Sequence, residues 1–207
     1  MYGGITRGTF PVVRVEREPA LLRFTVGLTD PLVEGLQIGA SVSIDGVCQT
    51  VVSIAGHHVV FEAIRETLDK TTLDALTTDA RVSVERSLRA GDEIGGHELA
   101  GHVIGTGQVR AAVHAGHVHD LHIAVPQAWM KYILHKGFIA VDGSSLTVGE
   151  TDPSGGFALH LIPETLRLTN LGKKQPGDRV NIELDARTVA IVDTVERVLA
   201  ERQRPAT

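Results

Sequence analysis

Short apolar runs order this sequence. In the first half they lie at residues 5–15, 21–28, 41–45, 48–54, 58–64 and 81–85, each rich in Val, Ile, Thr or Phe and bounded by Gly, Pro or Asp. Such residues suit a pleated, half-buried backbone, so each run predicts a β-strand. The second half repeats the pattern at 102–113, 119–125, 138–142, 145–150, 157–162 and 179–183. A short helical piece is expected between the second and third strand of each half, at DPLVEGL and PQAWMKYIL. Closely spaced strands without long intervening helices predict antiparallel sheets closed as barrels, which leave no edge exposed.

The two halves are copies. DGVCQTV at 45–51 returns as DGSSLTV at 142–148, an offset of 142 − 45 = 97. Gly4, Gly8 and Thr9 fall on Gly101, Gly105 and Thr106 at the same offset. Glu66-Thr67-Leu68 and Glu164-Thr165-Leu166 are 98 apart, as are ARVSVE at 80–85 and DRVNIE at 178–183, so one residue is inserted between, most simply in DPSGG at 152–156. A period this long is the size of a domain, not of a solenoid repeat. The expected division is a first barrel at 1–97, a second at 98–186, and a helix and tail at 187–207. That tail places Val192, Val195 and Leu199 at helical spacing, with Arg202 and Arg204 beyond. It has no counterpart in the first copy. A lone amphipathic helix needs a partner for its apolar face, either a barrel or the same helix of other subunits; the second is preferred.

The chain has 207 residues, 43% of them hydrophobic, and a formal charge of −5, with pI near 6.0. Without a dense basic block, nucleic acid and anionic membranes are not expected partners. The start, MYGGITRGTF, has no run suited to a signal peptide, and a single cysteine, Cys48, fits a reducing cytoplasm. The sequence has no GxGxxG after a strand, no Walker loop, no CxxC and no HExxH. An enzyme here is expected to work without nicotinamide, nucleotide or metal.

Candidate chemistry gathers where the copies match. Cys48 and Thr50, like Ser145 and Thr147, are two apart on a strand and share a face. Gly46 and Gly143 allow a positive-φ turn or leave room for a ligand. His102 replaces the apolar Ile5 at a repeated position, an asymmetry suited to acid–base work. Lys136, at the place of Gly39, adds a cation on one side only, close to where Ser41 is expected. The run His114, His117, His119, His122 reads as a surface hairpin rather than a metal site.

The motifs MYGGI, GVCQTV, the pair ETLDKTTL and ETLRLTNLGK, DEIGGHELAGHV, MKYILHKGFIAVDGSSLTV, HLIPETL and VDTVERVLA span nearly the whole chain. Through them the sequence resembles the α-type riboflavin synthases. The resemblance implies two six-stranded Greek-key barrels and a C-terminal helix that joins three subunits. It implies one 6,7-dimethyl-8-ribityllumazine per barrel and transfer of a four-carbon unit between two of them, giving riboflavin and a pyrimidinedione. Lumazine synthase, which makes the substrate, is the candidate partner. Non-catalytic lumazine- or flavin-binding proteins share the fold and are the alternative.

By the same resemblance, Gly4, Ile5, Thr6, Cys48, Gln49 and Thr50 line the first barrel's pocket with Glu62, Ala63, Ile64, Arg65, Glu66 and Thr67. Gly101, His102, Val103, Ser145, Leu146 and Thr147 line the second with His160, Leu161, Ile162, Pro163, Glu164 and Thr165, and Lys136 reaches in from a facing region. His102 is the expected acid–base group. Ser41 and Cys48 would activate the acceptor, Thr50 and Thr147 would bond the heterocycle's edges, and Asp185 would anchor ribityl hydroxyls or orient a partner. Departures from the family pattern fall in the first copy. Tyr2 stands for Phe, Gly3 for Thr and Gln49 for Leu, and ETLDKTTLDA lacks the Asn-Leu-Gly ending.

Overall fold

The computed structural model describes residues 1–115 and 118–203. His117 and Arg204 lie outside them. Six strands, β1 (Thr9–Glu18), β2 (Leu21–Gly27), β3 (Ser41–Ile44), β4 (Val47–Ala55), β5 (His58–Ile64) and β6 (Arg81–Arg86), close a first barrel in the order β1-β2-β5-β4-β3-β6. Strands β7 (Gly105–Ala115), β8 (Val118–Ala124), β9 (Phe138–Val141), β10 (Ser144–Asp152), β11 (Gly156–Leu161) and β12 (Arg179–Leu184) close the second with the same connectivity. In each, three hairpin-linked strands are joined by a fourth that returns beside the first of them (β6 beside β3, β12 beside β9), a Greek key. Short helices α1 (Asp30–Val33), α2 (Arg65–Lys70) and α3 (Pro163–Leu168) and a longer α4 (Ala186–Arg202) complete the elements, with 3-10 turns between them. Every expected strand is present.

The alternation that suggested strands also fills the barrels. Val12, Phe24, Val26, Val42, Ile44, Val51, Phe61 and Val82 of the first core are matched by Val109, Leu121, Ile123, Ile139, Val141, Val148, Leu159 and Val180 of the second. Each such side chain contributes roughly 1.5–3 kcal/mol when fully buried. The bulges repeat as well: register shifts at Val12/Arg14 and Val109/Ala111, and again after Val51 and after Val148. The extra residue lies where the sequence placed it. The β4–β5 turn is Gly56-His57, whereas the β10–β11 turn is Pro153-Ser154-Gly155.

The barrels meet back to back at the repeated Asp-Gly turn. Asp45 and Asp142 both have φ of 45°, and Gly46 and Gly143 have φ of 84° and 80°. A Cβ on Gly46 would sit 2.5 Å from the Gly143 nitrogen, and one on Gly143 would sit 2.7 Å from the Gly46 nitrogen. The turn expectation therefore holds, but the room beside these glycines is taken by the other barrel's backbone, not by a ligand. Asp45 accepts the Ser83 N–H at 2.6 Å, and Asp142 accepts the Asn181 N–H at 2.7 Å. Asn181 then reaches across, its side-chain N–H donating to the Asp45 carbonyl at 2.8 Å and its oxygen accepting the Thr72 N–H at 2.8 Å. Thr72 occupies the place of Asn170, so the altered ending of the first copy still closes this network. Lys174 pairs with Asp142 at 2.9 Å.

The C-terminal helix is capped by Asp185, whose carboxylate accepts the Arg187 and Thr188 N–H groups. Val189 packs on the second barrel, and Tyr132 and Lys131 bond Asp193. Ile191, Val195, Val198 and Leu199 remain exposed. Within the histidine run, His114 of β7 pairs with His119 of β8, and their rings meet edge to face at 3.9 Å. His119 is nevertheless buried, correcting the surface reading at that position.

Two measurements test the junction. Gly46→Ala forces a Cβ into the opposite backbone at a positive φ and is expected to cost about 2–4 kcal/mol by urea denaturation. A loss below about 0.5 kcal/mol, the level of an ordinary surface change, would mean that the turns do not pack. Burial and the neighbouring Asp142 push the Asp45 carboxyl up to about 7. A carboxyl that holds its proton more tightly folded than unfolded stabilises fully below about pH 4, and that contribution is lost as pH rises through about 7. Thermal melts of Asp45→Asn should accordingly vary less between these pH values than those of the wild type; an identical slope would exclude Asp45 as the source.

Candidate active site

Two straps carry the site. Residues 1–7 precede the first barrel, and 88–104 link it to the second. They pair with each other at one place, where Tyr2 and Leu99, repeat mates, exchange backbone hydrogen bonds of 2.8 and 3.0 Å. Each strap is pinned by a buried carboxylate of its own barrel. Glu85 accepts the Gly3 N–H at 2.8 Å, and Glu183 accepts those of Ala100 and Gly101 at 2.8 and 3.1 Å. Burial raises the pKa of both carboxyls, while these N–H bonds oppose the rise.

Beyond the shared bridge the straps cross. The Gly4 carbonyl accepts the N–H of Ser145 in the second barrel at 2.9 Å, and the Gly101 carbonyl accepts that of Cys48 in the first, also at 2.9 Å. Both glycines have positive φ, 72° and 76°. A Cβ on Gly4 would lie 2.5 Å from the Ser145 Cβ, and one on Gly101 would lie 2.7 Å from the Cys48 Cβ. The expected grouping thereby changes: the Gly4 carbonyl and the Thr6 side chain meet the second barrel, and Gly101, His102 and Val103 line the cavity of the first. Thr6 makes this concrete, with its hydroxyl 3.2 Å from that of Ser144.

A cavity of about 330 Å³ opens at the first barrel, lined by Val47, Cys48, Glu66, Thr67, His102 and Val103 among others. This is large enough for one flat heterocycle. His102, exposed at its rim, and Cys48, half-buried, are therefore neighbours although 54 residues apart (102 − 48 = 54). Tyr2 is only 1% exposed, and its hydroxyl donates to the Cys48 sulfur at 3.2 Å. Burial raises the tyrosine pKa, and Ser87 lies against the same hydroxyl. Ser87 also donates to the Ser41 carbonyl at 2.7 Å, but Ser41 is not among the residues lining this cavity. The added hydroxyl of Tyr2 is thus satisfied.

Strand alternation divides the expected lining. Thr50 is exposed and pairs with Ser41, and Thr147 is exposed opposite Phe138. Gln49, Ala63 and Leu161 instead turn inward and are buried, and Leu146 packs on the second core. Their side chains are structural, because neighbours of an outward-facing strand residue must face the barrel interior. Gln49 donates its amide N–H to the Cys48 carbonyl at 2.9 Å, and its buried oxygen has no partner among the described residues. Glu62 is taken by Arg23 at 2.5 Å. His160 sits between Asp120 at 2.8 Å and Glu150 at 3.1 Å, and the Asp120 hydrogen bond foremost raises its pKa. Ile64 and Ile162, repeat mates, stand 57% and 63% exposed. Next to them Arg65, Glu66, Pro163 and Glu164 are exposed, while Thr67 and Thr165 are half-buried. Lys136 is exposed in a left-handed turn (φ 63°) and makes no ion pair among the described residues. Asp185 is committed to capping α4: burial works against its ionisation, but the Thr188 bonds outweigh it and lower the pKa.

One residue escaped the sequence reading. His97 Nδ1 lies 2.6 Å from the Ser145 hydroxyl, and its ring stacks on Phe138 with centroids 5.0 Å apart. Its only signal was its place in GGHELAGH, five residues before His102.

The two copies match the lumazine binding domain, over residues 3–87 and 100–185. The chain belongs to the lumazine-binding family. A family relative, riboflavin synthase of Escherichia coli (strain K12), is 47% identical over 204 residues, covering 98% of this chain and 95% of the relative. Riboflavin synthase of Chlamydia pneumoniae is 40% identical over 200 residues, 97% of this chain and 98% of the relative. Among solved structures, LumP complexed with riboflavin has a TM-score of 0.83 at 23% identity, over 89% of this chain and 100% of LumP. That last likeness is one of fold.

The crossing of the straps in this lumazine-binding chain has a direct test. Gly101→Ala pushes its strap off Cys48, and alkylation of this single cysteine should quicken roughly tenfold, the effect of about 1.4 kcal/mol of local opening. Gly4→Ala, which disturbs the second barrel, should leave that rate within twofold; the reverse pattern would restore the uncrossed arrangement.

Proposed function

We propose that the chain is a riboflavin synthase, which converts two 6,7-dimethyl-8-ribityllumazines into riboflavin and 5-amino-6-(D-ribitylamino)uracil. The observation that carries this reading is 47% identity over 98% of the chain to a riboflavin synthase, joined to a cavity in which Cys48 and His102 meet. The C7 methyl of the substrate is acidic because its carbanion delocalises into the ring. The protein's task is then to hold two flat rings in a reactive orientation and to move protons. His102, exposed at the cavity rim, is the acid–base group. Ser41 and Cys48 activate the acceptor, and Thr50 and Thr147 bond the ring edges.

The finer parts of the reading are proposals too. The exposed Ile191, Val195 and Leu199 of α4 support a homotrimer joined through that helix. The uncovered Ile64 and Ile162 beside the sites support closure by a neighbouring subunit. The single cysteine suits a cytoplasmic enzyme, and lumazine synthase is a partner worth testing. Binding without turnover is the second reading, consistent with LumP, a protein of the same fold solved with riboflavin and with 6,7-dimethyl-8-(1'-D-ribityl) lumazine.

Incubation with the lumazine decides between them. The expected outcome is steady riboflavin formation with two substrates consumed per product; tight binding without product would leave a carrier. His102→Gln should lower kcat about 10²–10⁴-fold while ligand affinity changes little. Equal losses in both would reduce His102 to a positioning group.

A further inference from the structure

At the repeated position where one barrel has Cys48 and the other Ser145, the heteroatom meets a buried side chain from a strap. In the first barrel it is the Tyr2 hydroxyl, 3.2 Å from sulfur. In the second it is His97 Nδ1, 2.6 Å from oxygen. The two partners are not repeat mates, since Tyr2 aligns with Leu99 and His97 lies ahead of the second copy's start. Unrelated residues have thus arrived at one arrangement.

The direction of each bond follows from what surrounds it. Tyr2 donates to Cys48. His97 is 8% exposed and its Nε2 is buried with no partner among the described residues. A proton on Nε2 would strand a buried N–H, whereas a proton on Nδ1 leaves only a bare lone pair there and lets Nδ1–H donate to Ser145. Burial lowers the His97 pKa, partly opposed by Asp185, which suits this neutral ring. Both heteroatoms then receive a hydrogen bond from the strap, and their own S–H and O–H are free to point elsewhere.

We infer that Tyr2 and His97 are positioning residues that fix Cys48 and Ser145 as hydrogen-bond donors to an acceptor atom of the heterocycle in each barrel. The inference rests on the lumazine-binding reading of both sites. It gives the Tyr2 hydroxyl, a departure from the family pattern, a task in the first site, and it gives the second site an orienting group of its own.

The test is fluorescence titration of the full chain with the lumazine and with riboflavin, together with ¹⁵N NMR of the His97 ring in the unliganded protein. Tyr2→Phe keeps the ring and is expected to weaken one class of sites roughly three- to tenfold, the effect of a single neutral hydrogen bond. His97→Phe should weaken the other class equally. His97→Asn, whose amide N–H can stand in for Nδ1–H, should bind within about twofold of the wild type, as one retained hydrogen bond requires. The NMR spectrum should show the proton on Nδ1. Variants that bind like the wild type, an Asn variant as weak as the Phe variant, or a proton on Nε2 would each overturn the role. If His97→Phe fails to fold, Tyr2→Phe and the ring spectrum still decide. A wild type that binds neither ligand overturns the reading of function and this role with it, whereas binding by wild type and variants alike overturns this role alone.

Discussion

The contact on which the rest depends is the meeting of two glycines. Gly46 and Gly143 abut so closely that neither can carry a side chain, and this brings the two Asp-Gly turns into one buried junction. Only a residue without a Cβ suits both the positive φ and the close approach. The junction in turn places β4 and β10 where the opposite strap can reach them. Gly4 and Gly101 then repeat the same requirement one layer out, each laying backbone on a strand of the other barrel. Four glycines therefore connect the interface between the copies to the walls of the sites.

Around this near-symmetric backbone the side chains are unequal. The junction holds two aspartates, Asp142 buried and Asp45 half-buried, but one lysine, because Leu76 occupies in the first copy the place that Lys174 takes in the second. Cys48 corresponds to Ser145, Ile5 to His102, and Arg23–Glu62 gives way to Asp120–His160. A duplicated fold keeps its backbone bonds under packing constraint, since a core position or a glycine contact tolerates little change. Side chains at a pocket rim carry no such constraint. Differences between the copies consequently collect where a ligand would sit, which is what a reaction between two identical molecules in different roles requires.

Much of this was legible because local rules govern it. Period-two alternation marked the strands, the change of offset from 97 to 98 marked the longer β10–β11 turn, and the 3–4 spacing of Val192, Val195 and Leu199 marked α4. The crossing of the straps was not legible. It depends on which barrel's N–H the Gly4 and Gly101 carbonyls reach, and a repeat aligns each strap with its own copy regardless. His97 was hidden for a related reason: it has no mate in the first copy, so comparison of the copies could not single it out. Gln49 and Ala63 illustrate the opposite error, in which a contiguous motif was read as a contiguous lining although alternate strand residues must face the core.

The strap geometry also bears on how two ligands could meet. Tyr2 and Leu99 pair antiparallel, so the next residues of the two straps run away from each other. Gly4 and Gly101 each lie two residues past the bridge, on opposite sides of it. With roughly 3.3–3.6 Å per extended residue, the Cys48 and Ser145 ends are separated by something on the order of 10 Å or more. Rings held one per barrel would then be too far apart to exchange atoms, which demands a near-attack distance of about 3–3.5 Å. This separation fits the homotrimer proposed above, in which the first barrel of one chain would stand against the second barrel of another. The uncovered Ile64 and Ile162 at the sites and the uncovered apolar face of α4 are the surfaces such an assembly would bury. The same junction that sets the two barrels back to back thus keeps their two sites apart within one chain.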